Sequence, residues 1–173
     1  RPVRDENEIT GAKLGTLVHA VMEHIGFEED TAVAAAKRLY EREIITDAER
    51  DAIEKNAPMI DAFFTTGLAE RIRRSKKVIK EMPFNVLVPA SGIGYASGLA
   101  VTVQGVLDLA FMEDDAWVLV DYKTDYVQGG VQEYKKIYEK QLSLYADALR
   151  TITGIPVKER WLCFLRNNLQ VEV

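Results

Sequence analysis

A chain of 173 residues that is 47% apolar can bury one ordinary core, and its longest apolar runs, such as 116–120 and 101–103, are far too short to cross a bilayer. Its net charge of −5 counts against nucleic acid as a partner, but Arg71, Arg73, Arg74, Lys76, Lys77 and Lys80 run together without an acid, and Lys135, Lys136 and Lys140 form a second cluster. The single cysteine, Cys163, sits in an apolar run where a buried thiol is the ordinary reading, and it excludes an internal disulfide and a self-contained iron–sulfur or zinc–thiolate centre.

Each basic cluster taken alone reads as a solvated helix face. With no charged-then-apolar leader, a soluble, cytoplasmic protein is expected, and the start at Arg1 rather than Met points to a segment of something longer.

Thr10 is placed to cap a first helix with Leu14, Leu17, Val18, Val21 and Ile25 at helical spacing, and Gly15 and His19 lie one turn apart on a neighbouring face. A second helix is expected over Ala32 to Tyr40. A third starts at the capping-box pair Thr46 and Glu49, with Pro58 interrupting or restarting it before Ile60, Phe63 and Phe64. Gly67 to Arg74 reads as a short helix. From there the chain turns to β character: a strand over Val78 to Val88 around an interruption at Pro83, a small-residue loop over Ala90 to Gly98, and strands over Leu99 to Met112 and Ala116 to Thr124. A long helix over Val131 to Thr153, ended by Gly154 and Pro156, and a last strand over Val157 to Leu165 complete the chain.

Chemistry concentrates in the central hairpin. If its loop is the two residues Asp114 and Asp115, Glu113 faces Ala116 and Asp108 falls opposite Asp121, with Lys123 two residues further along the same face. A different loop length would slide this pairing. These strands are otherwise largely apolar, as central, covered strands are. Two carboxylates there cost several kcal/mol per ion unless compensated, and Lys123 balances only one of them. An oxygen-rich donor set then points to Mg²⁺ or Mn²⁺ and to phosphoryl chemistry, against the alternative of a structural salt bridge.

The strings Gly105-Val106-Leu107-Asp108, Asp121-Tyr122-Lys123-Thr124 and Gln141-Leu142-Ser143-Leu144-Tyr145, in that order, resemble the successive motifs of RecB-type nucleases of the PD-(D/E)XK superfamily. Gly15-Thr16-Leu17-Val18-His19 is similar to that family's first motif, and Glu81-Met82-Pro83-Phe84 to the strand before its metal-binding hairpin. Within the family the likeness is strongest to the C-terminal nuclease domain of the AddA (RexA) type of bacterial helicase-nuclease, and to its branch without an iron–sulfur cluster. The resemblance implies an α/β, restriction-endonuclease-like fold, a mixed central sheet flanked by helices with a helical N-terminal part, and residues 1–173 acting as one nuclease domain.

It further implies an Mg²⁺-dependent deoxyribonuclease, expected to be an exonuclease, that processes double-strand breaks for recombinational repair. Its partners would be DNA, attached helicase domains and a second, AddB (RexB)-like subunit. By itself His19 reads as a satisfied structural residue; the resemblance makes it a metal ligand with Asp108, Asp121 and the main-chain carbonyl of Tyr122. Lys123 would orient the attacking water or neutralise charge on phosphorus.

Gln141 lies on the apolar stripe of its helix with Tyr134, Tyr138 and Tyr145. Either it bonds a neighbouring backbone group or, with Tyr145, it orients phosphate or water, and the resemblance favours the latter. Glu81 is either a third acid near the metal or a solvent-facing strand residue, the second reading being preferred. The rival functions are a catalytically inactive nuclease-like DNA-binding or scaffold module, and a small-molecule phosphohydrolase, which would be expected to carry a glycine-rich cradle at a helix start.

Overall fold

The computed structural model describes residues 9–89 and 100–173. The small-residue loop expected over Ala90 to Gly98 lies outside the described residues. The chain divides into two compact units, one holding the residues up to Arg74 with Tyr122–Gln128 and Cys163–Gln170, the other holding Ser75–Asp121, Gly129–Leu162 and Val171–Val173.

The first unit is built on four helices, α1 (Gly11–His24), α2 (Ala32–Glu41), α3 (Asp47–Phe63) and α4 (Gly67–Arg74). Thr10 caps α1 by accepting from the Lys13 amide, Thr31 caps α2 through the Ala34 amide, and Thr46 and Glu49 close the expected capping box on α3. Lys13 also pairs with Glu49 at 2.9 Å, which ties α1 to the start of α3. Against expectation α3 runs unbroken through Pro58. The burial of Ile53, Ala57, Ile60 and Phe63 along one face outweighs the lost backbone hydrogen bond.

Arg73, from the basic run, has a structural role: its Nε donates to the Phe27 carbonyl at 2.7 Å and its Nη2 to the Phe64 carbonyl. Arg74 pairs with Glu70 at 2.9 Å.

The second unit carries most of a mixed five-stranded sheet in the order β1 (Val78–Pro89), β2 (Ala100–Glu113), β3 (Ala116–Lys123), β4 (Val157–Phe164), β5 (Leu169–Glu172). The first three strands are antiparallel neighbours. The return to β4 passes through α5 (Val131–Thr153), whose C-cap Gly154 takes the left-handed φ of 70° that glycine tolerates best. Pro83 does not interrupt β1 but pairs with Val106 inside it, which an edge strand permits.

One strand beyond those expected closes the sheet. After β4 come a 3-10 turn (Leu165–Asn167), Asn168 at a left-handed φ of 46°, and the short β5. Phe84, Val86, Leu107, Ala110, Trp117 and Leu119 form the core of this unit with Ala148 and Leu149 of α5, and the Trp117 indole donates to the Thr153 hydroxyl at 3.1 Å. Cys163 is buried, as its apolar surroundings predict.

Candidate active site

The β2–β3 hairpin has the two-residue loop on which the expected facing of acids depends. Asp114 and Asp115 sit at φ 49° and 59°, the paired left-handed conformation of a tight hairpin turn, and Glu113 pairs with Ala116. The ladder runs back to Leu109 and Val120 and ends there, one residue short of Asp108 and Asp121. Asp121 is only 3% exposed, whereas Asp108 is half-buried. The strands are less uniformly covered than expected, since Val106 is exposed while Leu107, Leu109 and the stretch 116–120 are buried.

On the other side of β2 the register sets Glu81 opposite Asp108, between the pairs Lys80–Leu109 and Met82–Leu107, but the ladder skips that step. Glu81 takes a φ of 45°, a conformation that costs a non-glycine residue about 1–3 kcal/mol and recurs where a site needs it. The result is that the carboxylates of Glu81 and Asp108 lie within 4.8 Å of each other. Glu81 is therefore not the solvent-facing strand residue preferred from the sequence: it is half-buried beside a second acid. Its signal was the opposition of two acids across β1 and β2, which becomes readable only once that register is known.

Gln141 and Tyr145 project from α5 one turn apart, and the Gln141 amide donates to the Tyr145 hydroxyl at 3.0 Å. Tyr145 meets Phe84 edge to face, ring centroids 5.1 Å apart. Gly105, which pairs with Phe84, lies beneath both rings, and a β-carbon there would stand 2.9 Å from the Phe84 ring and 3.2 Å from the Tyr145 hydroxyl. A side chain is thus excluded three residues before Asp108 for a steric reason.

In the first unit His19 is half-buried on α1, one turn beyond Gly15. A β-carbon on Gly15 would come 3.1 Å from the Thr124 hydroxyl, so this glycine permits a close approach of α1 to the residue after Lys123. Tyr122 is buried, its ring edge-on to Phe63 at 5.2 Å, and Lys123 is half-buried. Packing thus fixes the main chain that carries Tyr122, Lys123 and Thr124.

Two half-buried carboxylates this close repel one another unless a cation offsets them. Acidic oxygens form the donor set of a hard divalent ion and not that of a thiolate-bound metal.

Residues 2–172 match the PD-(D/E)XK nuclease superfamily, and the chain belongs to it. Among the proteins it is similar to, the A subunit of the ATP-dependent helicase/nuclease of Thermoanaerobacter sp. (strain X514) is 38% identical over 170 residues, which are 92% of this chain and 14% of that protein. The protein of the same name from Acetivibrio thermocellus is 32% identical over 92% of this chain and 13% of its own length, and that from Clostridium novyi 32% identical over 97% and 14%. The chain therefore spans about a seventh of the length of the curated relatives it matches. No helix among its described residues is long and apolar enough to cross a membrane.

Proposed function

We propose that this chain is the nuclease part of an ATP-dependent helicase-nuclease and that it hydrolyses DNA phosphodiester bonds as a divalent-metal exonuclease. Mg²⁺ is the first choice of ion and Mn²⁺ its substitute. The observation that carries this reading is the approach of the Glu81 and Asp108 carboxylates to within 4.8 Å.

His19, Asp108, Asp121 and the main-chain carbonyl of Tyr122 are the ligands we assign, and Glu81 joins them. When bound, the ion polarises the scissile phosphate and makes a water acidic enough to attack at neutral pH. Lys123 holds that water in line, or neutralises charge as it grows on phosphorus, with an ammonium whose donors can turn to either task. Gln141 and Tyr145, already joined by a hydrogen bond, orient a DNA phosphate or the attacking water. The residues 1–173 act here as one domain, because each compact unit is assembled from several separate stretches of chain. Attached helicase domains and a second, AddB-like subunit would deliver DNA to it in a DNA-associated, cytoplasmic complex, which accounts for an acidic net charge in a DNA-cutting chain.

The test incubates the purified chain with linear single- and double-stranded DNA in Mg²⁺, in Mn²⁺ and in EDTA, beside Asp121→Ala and Lys123→Ala. Metal-dependent shortening of DNA from its ends, abolished in both variants, is the expected result. Folded wild type that cuts no better than the variants, alone and when joined to its helicase and second subunit, would leave an inactive DNA-binding or scaffold module instead.

A further inference from the structure

Lys123 stands between two anchored points of the chain, and both anchors lead back to α3. On one side the Tyr122 ring lies edge-on to Phe63, the last residue of α3, at 5.2 Å. On the other side β3 ends, and the chain runs without regular structure from Thr124 to Gly130 before α5 begins. In the middle of that stretch Asn167 grips the main chain of Val127. The Asn167 Oδ1 accepts from the Val127 amide at 2.9 Å, and the Asn167 Nδ2 donates to the Val127 carbonyl at 3.4 Å.

A side-chain amide carries both an acceptor and donors, so it can satisfy the two main-chain groups of one residue much as a neighbouring strand would. Asn167 is itself held firmly. It closes the 3-10 turn Leu165–Asn167, which packs against α3 and buries Leu165. Behind it Asn168, at its left-handed φ of 46°, donates its amide to the Leu165 carbonyl at 3.1 Å, and the Gln170 side chain donates to the Asn168 Oδ1 at 3.1 Å.

We propose that Asn167 is a positioning residue for DNA hydrolysis: by holding Val127 it fixes the path of the chain that leaves Lys123, and with it the ammonium that serves the reacting phosphate. This rests on the nuclease reading above and adds a residue to which that reading gives no role. The hydrogen bonding of β3 gives out at Lys123, so the sheet secures the residues before the lysine and not those after it. Thr124 comes close enough to α1 that a β-carbon on Gly15 would lie 3.1 Å from its hydroxyl, which limits sideways movement, and the two hydrogen bonds at Val127 hold the stretch along its length. A misplacement of about 1 Å in a reacting group can cost about 100-fold in rate, so a modest loosening beside Lys123 is enough to register.

The test measures cleavage of linear DNA in Mg²⁺, in the form of the protein that cuts DNA in the assay above, together with amide hydrogen exchange. Asn167→Ala is expected to lower kcat about 10-fold with KM within about twofold, and to speed exchange at the Val127 amide at least about 10-fold. Asn167→Asp keeps the acceptor for that amide and is expected to lose no more than about threefold in kcat. Asn167→Leu keeps the volume without either hydrogen bond; it should fail as Ala does and covers the case in which Ala unfolds the turn. Thr46→Ala, which weakens the same unit at a helix cap, separates positioning from general loss of stability, and its kcat should stay within about twofold of wild type.

An unchanged kcat in a folded Ala or Leu variant overturns the role of Asn167, as does a loss in Asn167→Asp as large as in Asn167→Ala, or an equal loss in Thr46→Ala. If those results come from a wild type that cuts DNA, the nuclease reading stands and only the positioning role falls. A wild type that cuts no DNA, alone or joined to its helicase and second subunit, removes both.

Discussion

Gly105 and Tyr145 stand so close that a β-carbon on the glycine would lie 3.2 Å from the tyrosine hydroxyl, and 2.9 Å from the Phe84 ring that tyrosine meets edge to face. Gly105→Ala should therefore destabilise the protein by about 1–3 kcal/mol, the usual result of forcing an extra carbon into a packed site. Thermal unfolding followed by circular dichroism would register a fall of several degrees. Phe84→Leu in the same background should recover part of the loss; a melting temperature unchanged in Gly105→Ala would contradict the packing described.

Gly15 offers a paired case in the other unit. Among the described residues its β-carbon would meet the Thr124 hydroxyl, at 3.1 Å, so in Gly15→Ala the crowding should offset the gain of about 1 kcal/mol that alanine brings to a helix, and Thr124→Ala should release that gain. A double-mutant cycle on melting temperature measures that coupling, and strictly additive effects would disprove the contact.

Glu81 separates stability from activity. Glu81→Gln keeps the shape but removes one of two neighbouring carboxylate charges, so DNA cutting should fall about 100-fold or more while the melting temperature holds or rises. Glu81→Gly also releases the strain at φ 45° and should be the more stable of the two variants, equally inactive. Full activity in folded Glu81→Gln would exclude this acid from the metal site.

Acid should loosen the helical unit first at its caps. The Thr46 amide, then Lys13, hold the Glu49 carboxyl below its ordinary range despite its burial. Burial pushes Asp30 up, but Arg38 and the amides of Gly26 and Thr31 outweigh it, and the net shift is downward. A depressed carboxyl contributes stability that is complete above its unfolded pKa and lost as the pH falls through the folded value. The decline should therefore set in below about pH 4.5 and deepen as the pH falls further. Glu49→Gln and Thr46→Ala should each cost about 1 kcal/mol at pH 7, and Glu49→Gln should flatten the acid limb of the stability curve; an acid limb of unchanged slope would argue against this origin.

The elements most legible in the sequence were those whose ends are set by local chemistry. Thr10 and Thr46 mark helix starts by their side chains, Gly154 marks an end by its φ, and Asp114-Asp115 fixes the register of the hairpin between β2 and β3. That register runs as far as Leu109 and Val120, one residue short of Asp108 and Asp121. Glu81 was misjudged because the pairing of β1 with β2 spans a longer connection, from Pro89 to Ala100, whose length specifies no register. Pro58 and β5 were misjudged for opposite reasons: the burial around α3 overrides a local breaker, while a four-residue strand is too short to show a period.

The interleaving of the two compact units bears on how the chain is made. Helices α1–α4 leave the ribosome as an uninterrupted block, yet the unit they belong to also needs Tyr122–Gln128 and Cys163–Gln170, where the Asn167 side chain accepts from the Val127 amide at 2.9 Å. The sheet-bearing unit waits still longer, for Val171–Val173, whose last amide bonds the Arg160 carbonyl at 2.9 Å. Both units thus need residues from Cys163 onward, so a chain cut before that point leaves both units half-built rather than one finished and one missing.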